Sequence, residues 1–258
     1  AGQLLAHLGE AYRQLCLYRC RESISTLRRL PSRHFSTGWV QHQLGRAHFE
    51  MAEYSAALRA LRDMRRAEPH RTQGLELLST TLWHLKRDKE LVALAQEAVD
   101  TDRLSPEAWC AVGNCFSLQR EHETAIKFFE RAIQVNAGFT YAYTLCGHEY
   151  VLNEDLEKAV TAFRMAIRTD PRHYNAWYGL GAIYYRQEKL ELAEYHFVKA
   201  LEVNPASSVL RCFLGMVLHA SNRTAAALEV LNCASADAPH NAQLRFQRAT
   251  VLAEVDQL

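Results

Sequence analysis

The chain has no surplus of either charge: 30 basic and 29 acidic side chains among 258 residues leave a net +1. A protein whose main ligand is a nucleic-acid polyanion needs a basic surplus or stripe, so that class is excluded. No apolar run approaches the roughly 20 residues that a membrane-spanning helix needs, and no secretory leader is visible. Seven cysteines, at 16, 20, 110, 115, 146, 212 and 233, are odd in number and contain no Cys-x-x-Cys. Zinc sites and disulfide frameworks need regular ligand spacings. These cysteines therefore read as reduced, small hydrophobes of an intracellular protein, with Cys146 at an apolar core position. Glycine and proline are few, 11 and 6, which fits helices joined by short turns.

Catalytic signatures are missing as well. His148-Glu149-Tyr150-Val151-Leu152 opens like a zinc-protease helix but has no second His four residues after the first. There is no Gly-x-Ser-x-Gly elbow and no phosphate-binding loop. The 12 histidines include no pair at i and i+4. Asn222-Arg223-Thr224 has the form of a glycosylation sequon, but it reads as a turn between helices. The chain is accordingly expected to be non-catalytic, with no cofactor and no metal.

What is present is an internal repeat with a period of about 34 residues. Trp109, Val112, Gly113, Phe116, Ala125, Phe129 and Ala132 return one period later as Tyr143, Cys146, Gly147, Tyr150, Ala159, Phe163 and Ala166. They return again as Trp177, Leu180, Gly181, Tyr184, Ala193, Phe197 and Ala200. This is the tetratricopeptide signature, in which each unit is a helical hairpin that buries its apolar face only against its neighbours. The predicted fold is all-α, a right-handed superhelix of stacked hairpins forming one array over residues 1–258. Units start near 4, 38, 72, 106, 140, 174 and 208, with a partial unit at 242–258.

Within a unit, positions 4, 7, 8 and 11 share one face of the first helix, and positions 20, 24 and 27 one face of the second. The small residues at positions 8 and 20 let the two helices approach. The aromatics Trp109, Tyr143, Trp177, Phe129, Phe163 and Phe197 read as a core stripe. The unit from Thr72 is irregular, with Leu91 where a small residue is expected. Pro69, Pro171, Pro205 and Pro239 close units, whereas Pro106 follows the N-cap Ser105. In the last half-unit Arg245 and Arg248 replace apolar residues, yet Leu252 and Val255 keep the apolar period. A further unit beyond it is expected, and the start at Ala1-Gly2 without Met reads as a fragment.

Function is then expected on the groove lined by the first helices. Positions 2, 5, 9, 12 and 13 carry Glu107, Cys110, Asn114, Ser117 and Leu118 in one unit, and Tyr141, Thr144, His148, Val151 and Leu152 in the next. Asn175, Tyr178, Ala182, Tyr185 and Arg186 follow. Asn114 and Asn175 offer donor and acceptor to an extended peptide backbone. The tyrosines offer flat surface with a polar tip. These central units show no cation at positions 5 and 9, which disfavours a strongly acidic tail. A tail with an apolar and a basic residue fits better, with Glu107 or Glu149 to pair the cation.

The detailed wording is more specific. Ser105-Pro106-Glu107-Ala108-Trp109-Cys110, Gly113-Asn114-Cys115-Phe116-Ser117-Leu118-Gln119-Arg120-Glu121-His122 and Pro171-Arg172-His173-Tyr174-Asn175-Ala176-Trp177-Tyr178-Gly179-Leu180-Gly181 closely resemble the C-terminal array of the cell division cycle protein 27 homologue family. Gly38-Trp39-Val40 and Ser79-Thr80-Thr81-Leu82-Trp83-His84-Leu85 are similar to that family's preceding units. The likeness loosens after residue 205. It implies a non-catalytic scaffold of the anaphase-promoting complex, a ubiquitin ligase of the cell cycle, in nucleus and cytoplasm. Implied partners are other subunits, and coactivators and a core subunit bearing a C-terminal Ile-Arg tail. A homodimer would form through N-terminal repeats outside this chain. Tail binding then falls on Asn114 first, followed by His148, Glu149, Tyr178 and Tyr185, with Glu107, Tyr141, Asn175 and Arg186 in the same groove. The alternatives are a cargo or chaperone adaptor, and the repeat arm of a glycosyltransferase. The latter requires an asparagine ladder that Asn114, His148, Ala182 and Met216 do not form.

Overall fold

A computed structural model describes residues 2–237 and 241–255. Among these residues all regular structure is helical. The chain divides into two compact units, residues 1–155 and 156–258. The first contains α1 (Gly2–Cys16), α2 (Cys20–Arg28), α3 (Ser32–Phe35), α4 (Gly38–Glu50), α5 (Tyr54–Ala67), α6 (Leu75–His84), α7 (Asp88–Thr101), α8 (Pro106–Leu118), α9 (His122–Val135) and α10 (Thr140–Leu152). The second contains α11 (Leu156–Thr169), α12 (Tyr174–Arg186), α13 (Leu190–Val203), α14 (Ser208–Ala220), α15 (Thr224–Asp237) and α16 (Ala242–Val255). None of these helices is long and apolar enough to cross a membrane.

The period places most first helices correctly. α4, α8, α10, α12, α14 and α16 begin at Gly38, Pro106, Thr140, Tyr174, Ser208 and Ala242. Ser105 and Ser207 cap α8 and α14, each Oγ accepting from a backbone amide three residues on. Two starts differ. α1 begins at Gly2 rather than residue 4. α6 begins at Leu75 rather than 72, because Gly74 at φ 96° takes the N-cap position and donates its amide to the Glu76 carboxylate. The one-turn α3 was not legible in the period. Pro239 and the Val255 side chain lie outside the described residues.

In the hairpins of α4–α5, α8–α9, α12–α13 and α14–α15 the glycine at position 8 faces the large residue at position 24. A Cβ on Gly113 would lie 2.3 Å from a Phe129 ring carbon, and one on Gly181 would lie 2.8 Å from Phe197. The irregular third unit exchanges bulk between two positions. Leu91 stands at position 20 and Ala95 at position 24, both buried. The small Ala95 leaves room for Ser79, rather than glycine, at position 8. In the first unit Ser23 Oγ donates to the Ala11 carbonyl at 2.8 Å, so helix approach is fixed by a hydrogen bond as well.

The turns between paired helices are the same throughout. Tyr18, Ala52, Lys86, Arg120, Glu154, Glu188 and Asn222, one from each unit at the same position, all have positive φ near 60°. The next residue donates its amide to a carbonyl five residues back, as Glu121 does to Phe116 at 2.9 Å. This closing bond satisfies a helix-end carbonyl and holds a side chain in the left-handed region.

The aromatic stripe needs a correction. Phe129, Phe163 and Phe197 are fully buried. Trp109, Tyr143 and Trp177 are only half-buried. Their polar tips donate to carbonyls six residues back: Trp109 to Arg103, Tyr143 to Ala137 and Trp177 to Pro171. Arg211 repeats the bond to Pro205. In α8, α10, α12 and α14 position 4 is a polar staple across the loop entering the helix, because an indole N–H or phenol buried without a partner would be costly. Five cysteines are buried, Cys16 is half-buried, and Cys233 is exposed.

Candidate functional site

In the first unit, side chains of α6, α8 and α10, with His122 at the start of α9, form one polar network. It is held by hydrogen bonds that cross from repeat to repeat. Asn114 Nδ2 donates to Ser79 Oγ at 2.9 Å and to Thr80 Oγ1 at 3.1 Å. The Tyr141 hydroxyl donates to the same Thr80 oxygen at 2.9 Å. Beside this, Trp83 Nε1 donates to Ser117 Oγ at 3.0 Å, and Ser117 donates onward to Glu149 Oε1 at 2.6 Å. His122 Nδ1 lies 2.7 Å from the other Glu149 oxygen. Glu149 is only 5% exposed, so both its oxygens need these partners.

This geometry refines two expectations. Glu149 faces Ser117 and His122 rather than open groove. Asn114 is only 3% exposed and has committed its amide nitrogen to the preceding repeat, so it does not offer both groups to a ligand. Tyr141 likewise presents its ring while its hydroxyl is engaged. His148 is half-buried on the same helix.

Charge on this face centres on Glu76 and Glu107. Burial pushes the Glu76 carboxyl up to about 7, and the Glu107 charge adds to the shift. The Gly74 amide and the Arg46 charge act in the opposite direction. One Glu107 oxygen accepts from Ser105 Oγ at 2.6 Å, which orients it beside the cap of α8. Burial also raises the Cys110 thiol and the Tyr141 phenol well above their ordinary values. Among the described residues no group of His, Cys, Asp and Glu is arranged to hold a metal.

The second unit holds the other expected residues. Asn175 and Tyr185 are half-buried on α12, and Arg186 is exposed at its end. Tyr178 packs against Phe197 and edge-on against Phe213, with centroids 6.1 and 5.2 Å away. Burial raises its phenol pKa.

Several contributors escaped the sequence reading: Glu76, Ser79, Thr80, Trp83 and His122. Glu76, Thr80 and Trp83 occupy positions 5, 9 and 12 of the unit starting near 72, so the register already marked them one repeat earlier. The same extension reaches His42 and Arg46 at positions 5 and 9 of the repeat that starts at Gly38. A cation therefore does stand on this series of helices, outside the three central units. Burial, followed by the Arg71 and Arg46 charges, pulls His42 down to about 4.

Profiles of the tetratricopeptide repeat match residues 42–106, 106–139 and 174–207, and a TPR repeat profile matches 147–188. The chain is 49% identical to cell division cycle protein 27 homolog B of Arabidopsis thaliana over 249 residues, covering 96% of this chain and 34% of that protein. It is 51% identical over 251 residues to anaphase-promoting complex subunit 3 of Dictyostelium discoideum, covering 97% and 26%. Against the Homo sapiens cell division cycle protein 27 homolog, identity is 57% over 133 residues, or 52% and 16%. The chain thus spans about a third or less of the length of these relatives. Among solved structures, the APC/C hetero-tetramer Cut9-Hcn1 superposes with a TM-score of 0.54 at 14% identity, over 92% of this chain and 53% of that one, which supports the fold alone. With its regular period, hairpins that repeat their glycine contacts and turns, and these relatives, the chain belongs to the tetratricopeptide-repeat family and, within it, is a homologue of the cell division cycle protein 27 proteins.

Proposed function

We propose that this chain is the peptide-receiving part of a non-catalytic scaffold subunit of the anaphase-promoting complex, forming one continuous repeat array. The observation that carries this reading is the polar face of α6, α8 and α10, where the Glu76 and Glu107 charges act on each other and the Asn114 amide is fixed to the preceding repeat. A tail ending in Ile-Arg has matching groups. Its guanidinium pairs with Glu76 and Glu107, and its backbone N–H meets Asn114 Oδ1. Its terminal carboxylate lies toward Arg46, and its isoleucine packs against the Tyr141 ring. In this reading Glu149 and His122 hold the platform, while Tyr178, Tyr185, Asn175 and Arg186 offer a separate recognition surface on α12. The implied partners are the coactivators and core subunit bearing that tail, and other subunits of the complex. The homodimer belongs to repeats outside this chain, and the protein works in nucleus and cytoplasm.

The test is titration of a labelled peptide ending in Ile-Arg-COOH, with the amidated peptide as control. Saturable binding is expected, weakened at least about tenfold by amidation and by Asn114→Ala, since each removes a directed polar contact. Equal binding of both peptides, or binding indifferent to Asn114→Ala and Glu107→Gln, refutes the assignment. A preference for acidic tails over Ile-Arg would instead favour the chaperone-adaptor reading.

A further inference from the structure

A second site stands on different residues. Where α2 meets the corner between α4 and α5 there is a shallow cavity of about 570 Å³. From α2 and its C-cap it is lined by Arg21, Ser25, Arg28 and Arg29, and from the corner by Met51 and Glu53. Steps of four, seven and eight residues from Arg21 put the α2 side chains on one helical face. All four are exposed.

Among the described residues the three arginines lack counter-ions. Elsewhere in this unit Arg13, Arg19, Arg66, Arg71 and Arg87 each pair with a carboxylate three residues away on the chain. Three or four residues from Arg21, Arg28 and Arg29 stand only Leu17, Tyr18, Ile24, Ser25, Thr26, Pro31, Ser32 and Arg33. The one carboxylate on the cavity wall, Glu53, is held by His48 Nδ1 at 2.7 Å. Three guanidinium groups thus share one depression with no acid of their own. The floor beside them is apolar, with Ile24 buried.

A ligand for this site must bring more than one negative charge and several acceptor oxygens. A carboxylate side chain supplies one charge and one fork-matching edge. A phosphate monoester is nearly dianionic at neutral pH and offers three terminal oxygens, so it can engage several guanidinium forks at once. The chain as a whole is almost neutral, so the attraction is local rather than a general affinity for anions.

We propose that this cavity docks a phosphorylated peptide segment, with the phosphate on Arg21, Arg28 and Arg29 and an adjacent apolar residue against Ile24 and Met51. The proposal is independent of the tail groove, with which it shares no residue. The test uses a fluorescein-labelled heptapeptide pool randomised around a central phosphoserine, titrated by anisotropy. Matched pools with serine or glutamate at the centre serve as comparisons. The phosphoserine pool is expected to saturate and to bind at least about tenfold more tightly than either. The Arg28→Ala/Arg29→Ala chain should lose about tenfold or more, and Arg28→Lys/Arg29→Lys should fall between, because charge remains but the forks are gone. Arg66→Ala, at an already paired arginine, should change nothing. Failure to saturate, equal binding of the glutamate pool, or insensitivity to the double alanine variant would overturn the proposal. So would a preference for phosphatidylserine vesicles over the phosphopeptides. Both arginines are exposed, and matching unfolding curves for the variants will show that the fold is retained.

Discussion

The face of α6, α8 and α10 and that of α12 and α14 are built on one repeat frame and filled differently. In the first, Asn114, Ser79, Thr80, Tyr141, Trp83, Ser117, Glu149 and His122 join three repeats through directed hydrogen bonds. In the second, Tyr178, Phe197 and Phe213 pack ring against ring, and direction is set by shape. The glycine-to-ring contacts beneath are of the same kind in both. The comparison separates two layers of information. The contacts of positions 8 and 24 set how the helices of a hairpin approach, and the side chains between successive first helices set whether the face is polar or aromatic.

The largest expected contrast tests whether the polar face is structural as well as receptive. Glu149→Ala leaves Ser117 and His122 without their buried acceptor and should cost about 2–3 kcal/mol in urea unfolding. Tyr178→Phe removes a hydroxyl from an aromatic cluster and should stay within about 0.5 kcal/mol. Similar costs for both would dissolve the distinction.

A smaller contrast sharpens the shared layer. Gly113→Ala pushes a Cβ into Phe129 at 2.3 Å, whereas Gly181→Ala meets Phe197 at 2.8 Å. Overpacking of about 1–3 kcal/mol is expected at Gly113, reduced by the helix preference of alanine, and less at Gly181. Adding Phe129→Leu to Gly113→Ala should recover part of the loss.

The smallest concerns protons. Glu76 has its carboxyl raised from 4.5 to about 7, so between those values the native state holds a proton that the unfolded chain releases. Stability therefore falls as pH rises through that window. Glu76→Gln should flatten this dependence and stabilise the chain above pH 7 by on the order of 1 kcal/mol, discounted because the side chain is only half-buried. A pH profile unchanged by the substitution would remove Glu76 from the account.

The fold was legible because it repeats. A glycine opposite a phenylalanine, returning once per period, needs no neighbour beyond its own hairpin to be recognised. Gly74 shifted the start of α6 by imposing a left-handed cap that no periodicity announces. Trp109 and Trp177 were misread as core because an apolar ring and a donor at its edge occupy the same letter. The site was half legible. Asn114 and Tyr141 were marked by register, and Glu149 by its charge and by the family resemblance. Their partners Ser79, Thr80 and His122 were not, since a bond between residues 27 to 61 apart depends on how successive hairpins meet.

The hydrogen bonds running from α6 through α8 to α10 carry one more implication. In a linear array each repeat ordinarily gains stability from its neighbours alone, and unfolding can begin anywhere. A side-chain chain that spans three successive repeats couples them beyond nearest neighbours. These helices should open as a single cooperative block, with amide exchange slowed to a common rate from Leu75 to Leu152, while α1 at the margin exchanges independently. The polar face should then be the slowest-exchanging stretch of residues 1–155, held by side chains as well as by its helices.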